Sequence, residues 1–138
     1  MKQLSVFLEN REGSLGDALD ILSENNINII SLSLAETTDY GMLRLIVNSP
    51  AEAKAFLKER GFSAHISDVV AVKMPHVPGS LQNAVKVLSN DGINIEYMYA
   101  LCTKTDEAAI VIKPADIDKA EKALDKAGYR FFTDGDVF

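Results

Sequence analysis

Apolar and polar residues follow two different periods along this chain. In residues 3–8 and 69–74, short apolar runs with partial alternation predict an opening strand in each half of the sequence. Each strand is followed by apolar residues at helical spacing, which predicts a helix with one buried face. The two buried faces consist of Leu15, Ala18, Leu19 and Leu22, and of Leu81, Ala84, Val85 and Leu88.

The remaining elements repeat this order in both halves. Further strands are predicted at 27–35, 42–47 and 62–66, and at 93–101, 108–112 and 129–133, with polar turns at 36–40 and 103–107. A second helix starts after Ser49, where Pro50 takes the first helical position and Glu52 completes a capping box, and it ends at residues 60–61. Its counterpart is predicted at 116–127. Ser14 and Ser80 are predicted as the N-caps of the first helices.

The sequence contains an internal duplication. Residues 11–29 read REGSLGDALDILSENNINI, and residues 77–95 read VPGSLQNAVKVLSNDGINI. Identical pairs, 66 positions apart, are Gly13/Gly79, Ser14/Ser80, Leu15/Leu81, Ala18/Ala84, Leu22/Leu88, Ser23/Ser89, Ile27/Ile93, Asn28/Asn94 and Ile29/Ile95. We therefore predict two copies of one unit, at 1–67 and 68–138.

The element order of each unit predicts its fold class. The order βαββαβ is the split βαβ, or ferredoxin-like, arrangement, an α+β fold with two helices on one face of an antiparallel sheet. Helices leave the other face of such a sheet uncovered, and a unit of this size buries little surface alone. We therefore expect the two units to pack side by side or against another chain.

Composition excludes several classes of function. The chain has 138 residues, 47% hydrophobic and 25% charged, which is typical of a folded globular protein. Its net charge of −6 has the wrong sign for a nucleic-acid binder or an acidic membrane surface. Cys102 is the single cysteine, which excludes an intrachain disulfide and indicates a reducing, cytoplasmic location. We expect no signal peptide or membrane span.

The turn between the first strand and the first helix carries the sharpest chemical pattern. In the two copies it reads Asn10-Arg11-Glu12-Gly13-Ser14-Leu15 and His76-Val77-Pro78-Gly79-Ser80-Leu81. A glycine before a helix lets a ligand approach the backbone, and the free N–H groups of the first turn favour an anion such as a carboxylate. The alternative is that the glycines only permit a tight turn.

Asn28 and Asn94 form the second pattern. Each lies between two isoleucines at the start of a predicted strand, where asparagine is a poor strand former and a buried amide needs partners. Their presence in both copies indicates a shared duty, which is either a bond to their own turn or a bond to a ligand.

Together these motifs resemble the ACT domain family, the small-molecule-sensing modules of amino-acid metabolism. The family pattern Asn-Arg-Pro-Gly-x-Leu followed by Val/Ile-Asn-Ile is matched in both copies, although Glu12 replaces the proline in the first and His76 the asparagine in the second. The resemblance implies a free amino acid bound at the junction between units. The turn backbone at Gly13 and Gly79 would hold its carboxylate, and Asn10, Asn28 and Asn94 its polar head. His76 could add selectivity for the ligand side chain, or be an exposed turn residue.

These observations lead to one functional hypothesis with alternatives. We expect a non-catalytic, amino-acid-binding regulatory protein without cofactor or metal, acting as a homodimer and on an enzyme partner. It could also be a detached regulatory subunit of a biosynthetic enzyme, a small enzyme using His76, His65 or Glu12 as acid or base, or a structural dimerisation module. The expected ligand-binding residues are Asn10, Arg11, Glu12, Gly13, Ser14, Leu15, Asn28, His76, Val77, Pro78, Gly79, Ser80, Leu81 and Asn94.

Overall fold

A computed structural model of the chain describes residues 1–36, 39–104 and 106–137. Its elements are β1 (Lys2–Glu9), α1 (Ser14–Glu24), β2 (Ile29–Glu36), β3 (Tyr40–Val47), α2 (Pro50–Glu59), β4 (Ser63–Asp68), β5 (Val70–Met74), α3 (Ser80–Asn90), β6 (Ile95–Leu101), β7 (Ala108–Pro114), α4 (Ile117–Lys126) and α5 (Asp134–Val137). They form two compact units: one comprises residues 2–67, and the other begins at Asp68 and includes Met1.

The first unit confirms the predicted ferredoxin-like arrangement. Its sheet has the order β2-β3-β1-β4, and β3 runs antiparallel to both β1 and β2. Alternate residues of β1 and β3 point into a core shared with α1 and α2, because side chains in a strand alternate between the two sheet faces. That core includes Leu4, Val6, Leu22, Leu45 and Leu57, all with 0% of their surface exposed.

The second unit repeats the first three strands of this sheet and has no fourth strand among the described residues. Its strands are arranged β5-β7-β6, and both pairs are antiparallel. Ala84, Leu88, Ile112, Ala120 and Leu124 lie fully buried in its core, which α3 and α4 share with the sheet. Leu88 therefore repeats the position and the burial of Leu22.

The predicted closing strand at 129–133 is reduced to one antiparallel bridge beside β5, where the N–H of Phe132 donates to the carbonyl of Ala71 at 2.8 Å. In this segment Phe131 forms an isolated bridge to Val72, and the N–H of Lys73 donates to the carbonyl of Arg130 at 2.8 Å. The segment then leaves the sheet because the carboxylate of Asp136 accepts hydrogen bonds from the N–H and the hydroxyl of Thr133, at 2.8 and 3.0 Å. These bonds bend the backbone into α5.

The predicted N-caps Ser14 and Ser80 are wrong. Both serines are already helical, and the cap positions are Gly13 and Gly79, with φ values of 82° and 89°. A left-handed backbone favours glycine. Each helix is therefore capped by the glycine, one residue before the predicted serine. Ser49 is the N-cap of α2 as predicted, but its side chain forms no cap hydrogen bond, so the predicted capping box is wrong. At α4 a side chain does cap the helix. Asp116 accepts from the N–H of Lys119 at 3.1 Å.

Two further expectations concern the helix faces and the turns. Leu81, predicted on the buried face of α3, is 41% exposed, because the first turn of the helix faces a cavity described below rather than the core. The predicted turns at 36–40 and 103–107 lie in part outside the described residues, which omit 37, 38 and 105.

No helix in the described ranges is long and apolar enough to cross a bilayer.

Candidate functional site

A cavity of about 650 Å³ lies beside the turn between β5 and α3. We call it the polar cavity, because side chains of both charge signs line it. These come from three places that are distant in sequence: Lys73 at the end of β5, Asp106 and Glu107 before β7, and Arg130 after α4. The volume is within the range of small-molecule sites.

In the polar cavity, the ammonium of Lys73 is positioned by a carboxylate and an aromatic ring. Its Nζ lies 3.6 Å from Oε2 of Glu107 and 4.8 Å from the ring centre of Phe132, and a quarter of its side chain is exposed. An ammonium over an aromatic face gains a cation–π interaction. The cation is therefore positioned at the cavity wall and can attract an anion.

A second cavity of about 550 Å³ adjoins the polar cavity at the same turn. We call it the apolar cavity, because its own walls are almost entirely hydrocarbon. They are formed by Pro78, Leu81, Ala100, Leu101, Ala109 and Ile110. His76, Val77 and Ser80 line both cavities, so the turn forms the wall between them.

The backbone of the turn is set by Gly79. A Cβ added there would meet nothing within 4 Å, so its left-handed φ, rather than crowding, is what requires glycine. The N–H of Ser80 donates to the carbonyl of Val77 at 3.3 Å, and the N–H of Asn83 donates to Gly79 at 3.0 Å. In this geometry Ser80 and Asn83 line the polar cavity, whereas Leu81 lines the second one.

The first unit has a smaller counterpart of the polar cavity. It encloses about 340 Å³, and its lining residues Glu9, Arg11, Ser14, Gly61 and Phe62 are the repeat equivalents of Pro75, Val77, Ser80, Gly128 and Tyr129. The two cavities are therefore the same site in two copies of the unit.

Ion pairs at Arg11 distinguish the first copy from the second. The guanidinium lies 3.2 Å from Oε2 of Glu9 and 3.5 Å from Oδ2 of Asp17, and it also donates to the carbonyl of Glu12 at 3.3 Å. In the second unit the equivalents of Glu9, Arg11 and Asp17 are Pro75, Val77 and Asn83, which cannot form ion pairs. The turn of the first unit is thus occupied by its own cation, and that of the second is not.

A comparison with protein families identifies the chain. A family model described as an ACT domain pair matches residues 1–137. The chain belongs to the ACT domain pair family. This confirms the resemblance inferred from the two turn motifs.

Solved structures of similar proteins agree with this assignment. Protein BT0572 from Bacteroides thetaiotaomicron is 39% identical, with a TM-score of 0.90 over 98% of this chain and 93% of its own. The ligand-free regulatory subunit of aspartate kinase from Thermus thermophilus shares the fold, with a TM-score of 0.65, 17% identity and 92% of each chain covered. The regulatory subunit from Thermus flavus is comparable, at 0.63, 17% and 91% of each chain. A search of curated proteins gives no match.

In this ACT domain pair the second unit brings most of its predicted residues together. His76, Val77, Pro78, Ser80 and Leu81 line one or both cavities, with Gly79 at the turn itself. In the first unit only Arg11 and Ser14 line the smaller cavity. Asn10, Glu12 and Gly13 lie at the turn without lining this cavity, and Leu15 lies in α1, where it packs against the core.

The two asparagines lie elsewhere. Asn28 and Asn94 are both exposed, and neither lines the cavities at the turns. The backbone of Asn28 is held by Asn48, whose Oδ1 accepts from the N–H of Asn28 at 3.0 Å and whose N–H donates back at 3.2 Å. Because both residues are exposed, neither carboxamide is obliged to bond to its own turn, and their role in ligand binding stays a prediction.

Sequence reasoning missed Lys73, Asp106, Glu107, Tyr129 and Arg130 as cavity residues. They lie on separate segments, and no local motif joins them. Comparing the two copies position by position from the turn outwards would have paired several of them, for example Tyr129 with Phe62. Among the described residues, no three His, Cys, Asp or Glu side chains could together hold a metal ion.

Proposed function

We propose that this ACT domain pair is a non-catalytic regulatory protein that binds a free amino acid at the turn between β5 and α3. The observation that carries the proposal is the polar cavity, where Lys73, Arg130, Asp106 and Glu107 place both charge signs beside the first turn of α3. A zwitterion needs donors or positive charge for its carboxylate, and oxygen acceptors for its ammonium. The cavity offers both within one volume.

The second unit is the better candidate of the two. The equivalent cavity in the first unit is about half as large, and Arg11 is engaged by Glu9 and Asp17. A ligand there would have to displace both ion pairs at the turn itself. In the second unit the ion pair between Lys73 and Glu107 lies at the cavity wall, and Val77 leaves the turn uncharged. One ligand per chain is therefore the stoichiometry that we expect.

Regulation would follow from the ligand's preference for one arrangement of the turn. A ligand shifts an equilibrium only by its difference in affinity between two states, and the turn joins β5, at the edge of its sheet, to helix α3. The output would be exerted on an enzyme partner, as expected of a chain that shares its fold with regulatory subunits of aspartate kinase from Thermus species. The homodimer, the packing of the units and the cytoplasmic location stay predictions.

Thermal melting of the full chain with each of the twenty amino acids tests the proposal. At about 100 times its Kd, a ligand bound at one site adds roughly 2.7 kcal/mol to stability, which raises the melting temperature by several degrees. We expect a rise with a subset of amino acids. A flat panel at millimolar concentrations would contradict the proposal.

A matched pair of variants assigns the site. Val77→Glu places a carboxylate between the two cavities and should abolish the ligand-induced rise by repelling the ligand's own carboxylate. Arg11→Glu changes the repeat-equivalent position and should leave the rise unchanged. Both side chains are more than half exposed, so neither change should prevent folding. Equal responses of the two variants would show that the ligand binds elsewhere.

A further inference from the structure

The polar and apolar cavities share one wall. Six residues line both of them: Met74, Pro75, His76, Val77, Ser80 and Ala108. A small molecule held against these residues therefore contacts two volumes of opposite character. One is bordered by four charged side chains, and the other almost only by hydrocarbon.

We propose that the amino acid bound here has an apolar side chain, which lies in the apolar cavity while its ammonium and carboxylate lie in the polar cavity. This inference rests on the proposed function and adds the class of ligand. Branched aliphatic side chains and methionine fit best, because the surfaces offered by Leu81, Leu101 and Ile110 are aliphatic.

The exposure of two apolar side chains supports this assignment. Val77 is 60% exposed and Leu81 is 41% exposed, and both line the apolar cavity. Covering them with a ligand side chain removes apolar surface from water on both partners. A charged or amide side chain in the same place would lose its water without gaining a partner from Leu101 or Ile110.

The expected selectivity can be expressed as affinity ratios. A missing methylene in a hydrophobic pocket costs about 10- to 200-fold in discrimination between otherwise similar ligands. Because part of the cavity faces solvent, the lower end applies. We expect leucine to bind at least about tenfold more tightly than alanine, with valine between them, and glycine, aspartate and lysine to bind more weakly than alanine.

Isothermal titration calorimetry of the full chain with glycine, alanine, valine, leucine, isoleucine, methionine, aspartate, glutamate and lysine is the test. The graded series from alanine to leucine depends on the ligands alone, so it stays decisive whatever a variant does to folding. A matched pair of variants follows. Leu81→Gln makes the apolar cavity polar, while Leu34→Gln changes a leucine of similar exposure, 47%, on β2 outside the cavity.

The outcomes separate this inference from the proposed function. Tight binding of leucine, isoleucine or methionine that falls at least about fivefold in Leu81→Gln but not in Leu34→Gln supports both. Binding of aspartate, glutamate or lysine without the aliphatic series overturns the inference and leaves the proposed function standing. Equal affinities in the two variants would also overturn it. Binding of no amino acid at all overturns the proposed function itself.

Discussion

Nε of Arg11 lies 3.2 Å from Oε2 of Glu9, at a turn whose second copy carries Val77 and Pro75 in the same two positions. All three side chains of the network, including Asp17, are more than half exposed. Exposed ion pairs contribute only about 0–1 kcal/mol each and are weakened by salt. These ion pairs matter because of their position: they hold the guanidinium of Arg11 at the turn of the first unit.

Transplanting this network should close the second site. The triple variant Pro75→Glu, Val77→Arg, Asn83→Asp places the three groups at their repeat-equivalent positions. We expect amino-acid affinity, measured by calorimetry at low salt, to fall about fivefold, the effect of roughly 1 kcal/mol of competing ion pairs. Part of that loss should disappear in 0.5 M salt. The reverse triple variant in the first unit is the control, and an unchanged affinity in the transplant would refute the explanation.

Gly13 and Gly16 should respond to alanine in opposite directions, although they are three residues apart. Neither would bring a Cβ within 4 Å of a neighbouring atom, but Gly13 has a φ of +82° and Gly16 lies inside α1. We expect Gly13→Ala to lower the free energy of unfolding by about 1–2 kcal/mol. Gly16→Ala should raise it by about 0.5–1 kcal/mol. Urea denaturation measures both, and a shared sign would contradict the backbone argument.

Asp136 should contribute stability that depends on acid pH. The N–H of Thr133, and then its hydroxyl, hold the pKa of the Asp136 carboxyl below its ordinary value. A carboxyl with a lowered folded-state pKa stabilises the fold above its ordinary pKa, and this contribution is lost as pH falls through the lowered value. Asp136→Asn should therefore be less stable than the wild type near neutral pH.

The difference between the two proteins is the quantity to follow. It should stay constant at and above pH 6 and shrink as pH falls below the ordinary carboxyl range toward the lowered pKa, as measured by urea unfolding across pH 2.5–7. Asp134→Asn is a neighbouring control from the same helix. A difference that grows on acidification would contradict the sign of the shift.

Asn48, rather than Asn28, should be the asparagine that matters for stability. Its carboxamide oxygen accepts from the N–H of Asn28 at 3.0 Å, so Asn48→Ala removes a bond between the start of β2 and the end of β3. We expect a loss of about 0.5–1.5 kcal/mol. Asn28→Ala keeps the backbone bond and should cost less than half as much. Thermal denaturation of both variants tests this, and a larger loss at Asn28 would point to a structural duty of its own carboxamide.

Much of the fold could be predicted from local patterns, because each strand and helix buries one face. The predicted elements β1, α1, α3 and α4 are confirmed, and each begins and ends within two residues of its predicted bounds. The failures are at positions where a neighbour decides the backbone. Thr133 leaves the sheet because Asp136 bonds to it, and Leu81 lies at a cavity instead of in the core.

The candidate site was only half predictable. The turn motif of the second copy, His76 to Leu81, predicts a glycine that leads into a helix. Its resemblance to the ACT domain pattern agrees with the family match. The charged side chains of the polar cavity come from β5, from the residues before β7 and from the segment after α4. Periodicity within one segment carries no information about which other segments meet it.

The sequence by itself determined the duplication, the order of strands and helices up to α4, and the glycine at each turn, since these depend on side-chain period and on backbone conformation within a few residues. Tertiary structure decided which copy of the turn is open. The ion pairs of Arg11 join residues 9–17 of one local stretch. The charges gathered beside Val77, in contrast, depend on distances between segments far apart in the chain. Those distances arise only when the sheet brings its strand ends together.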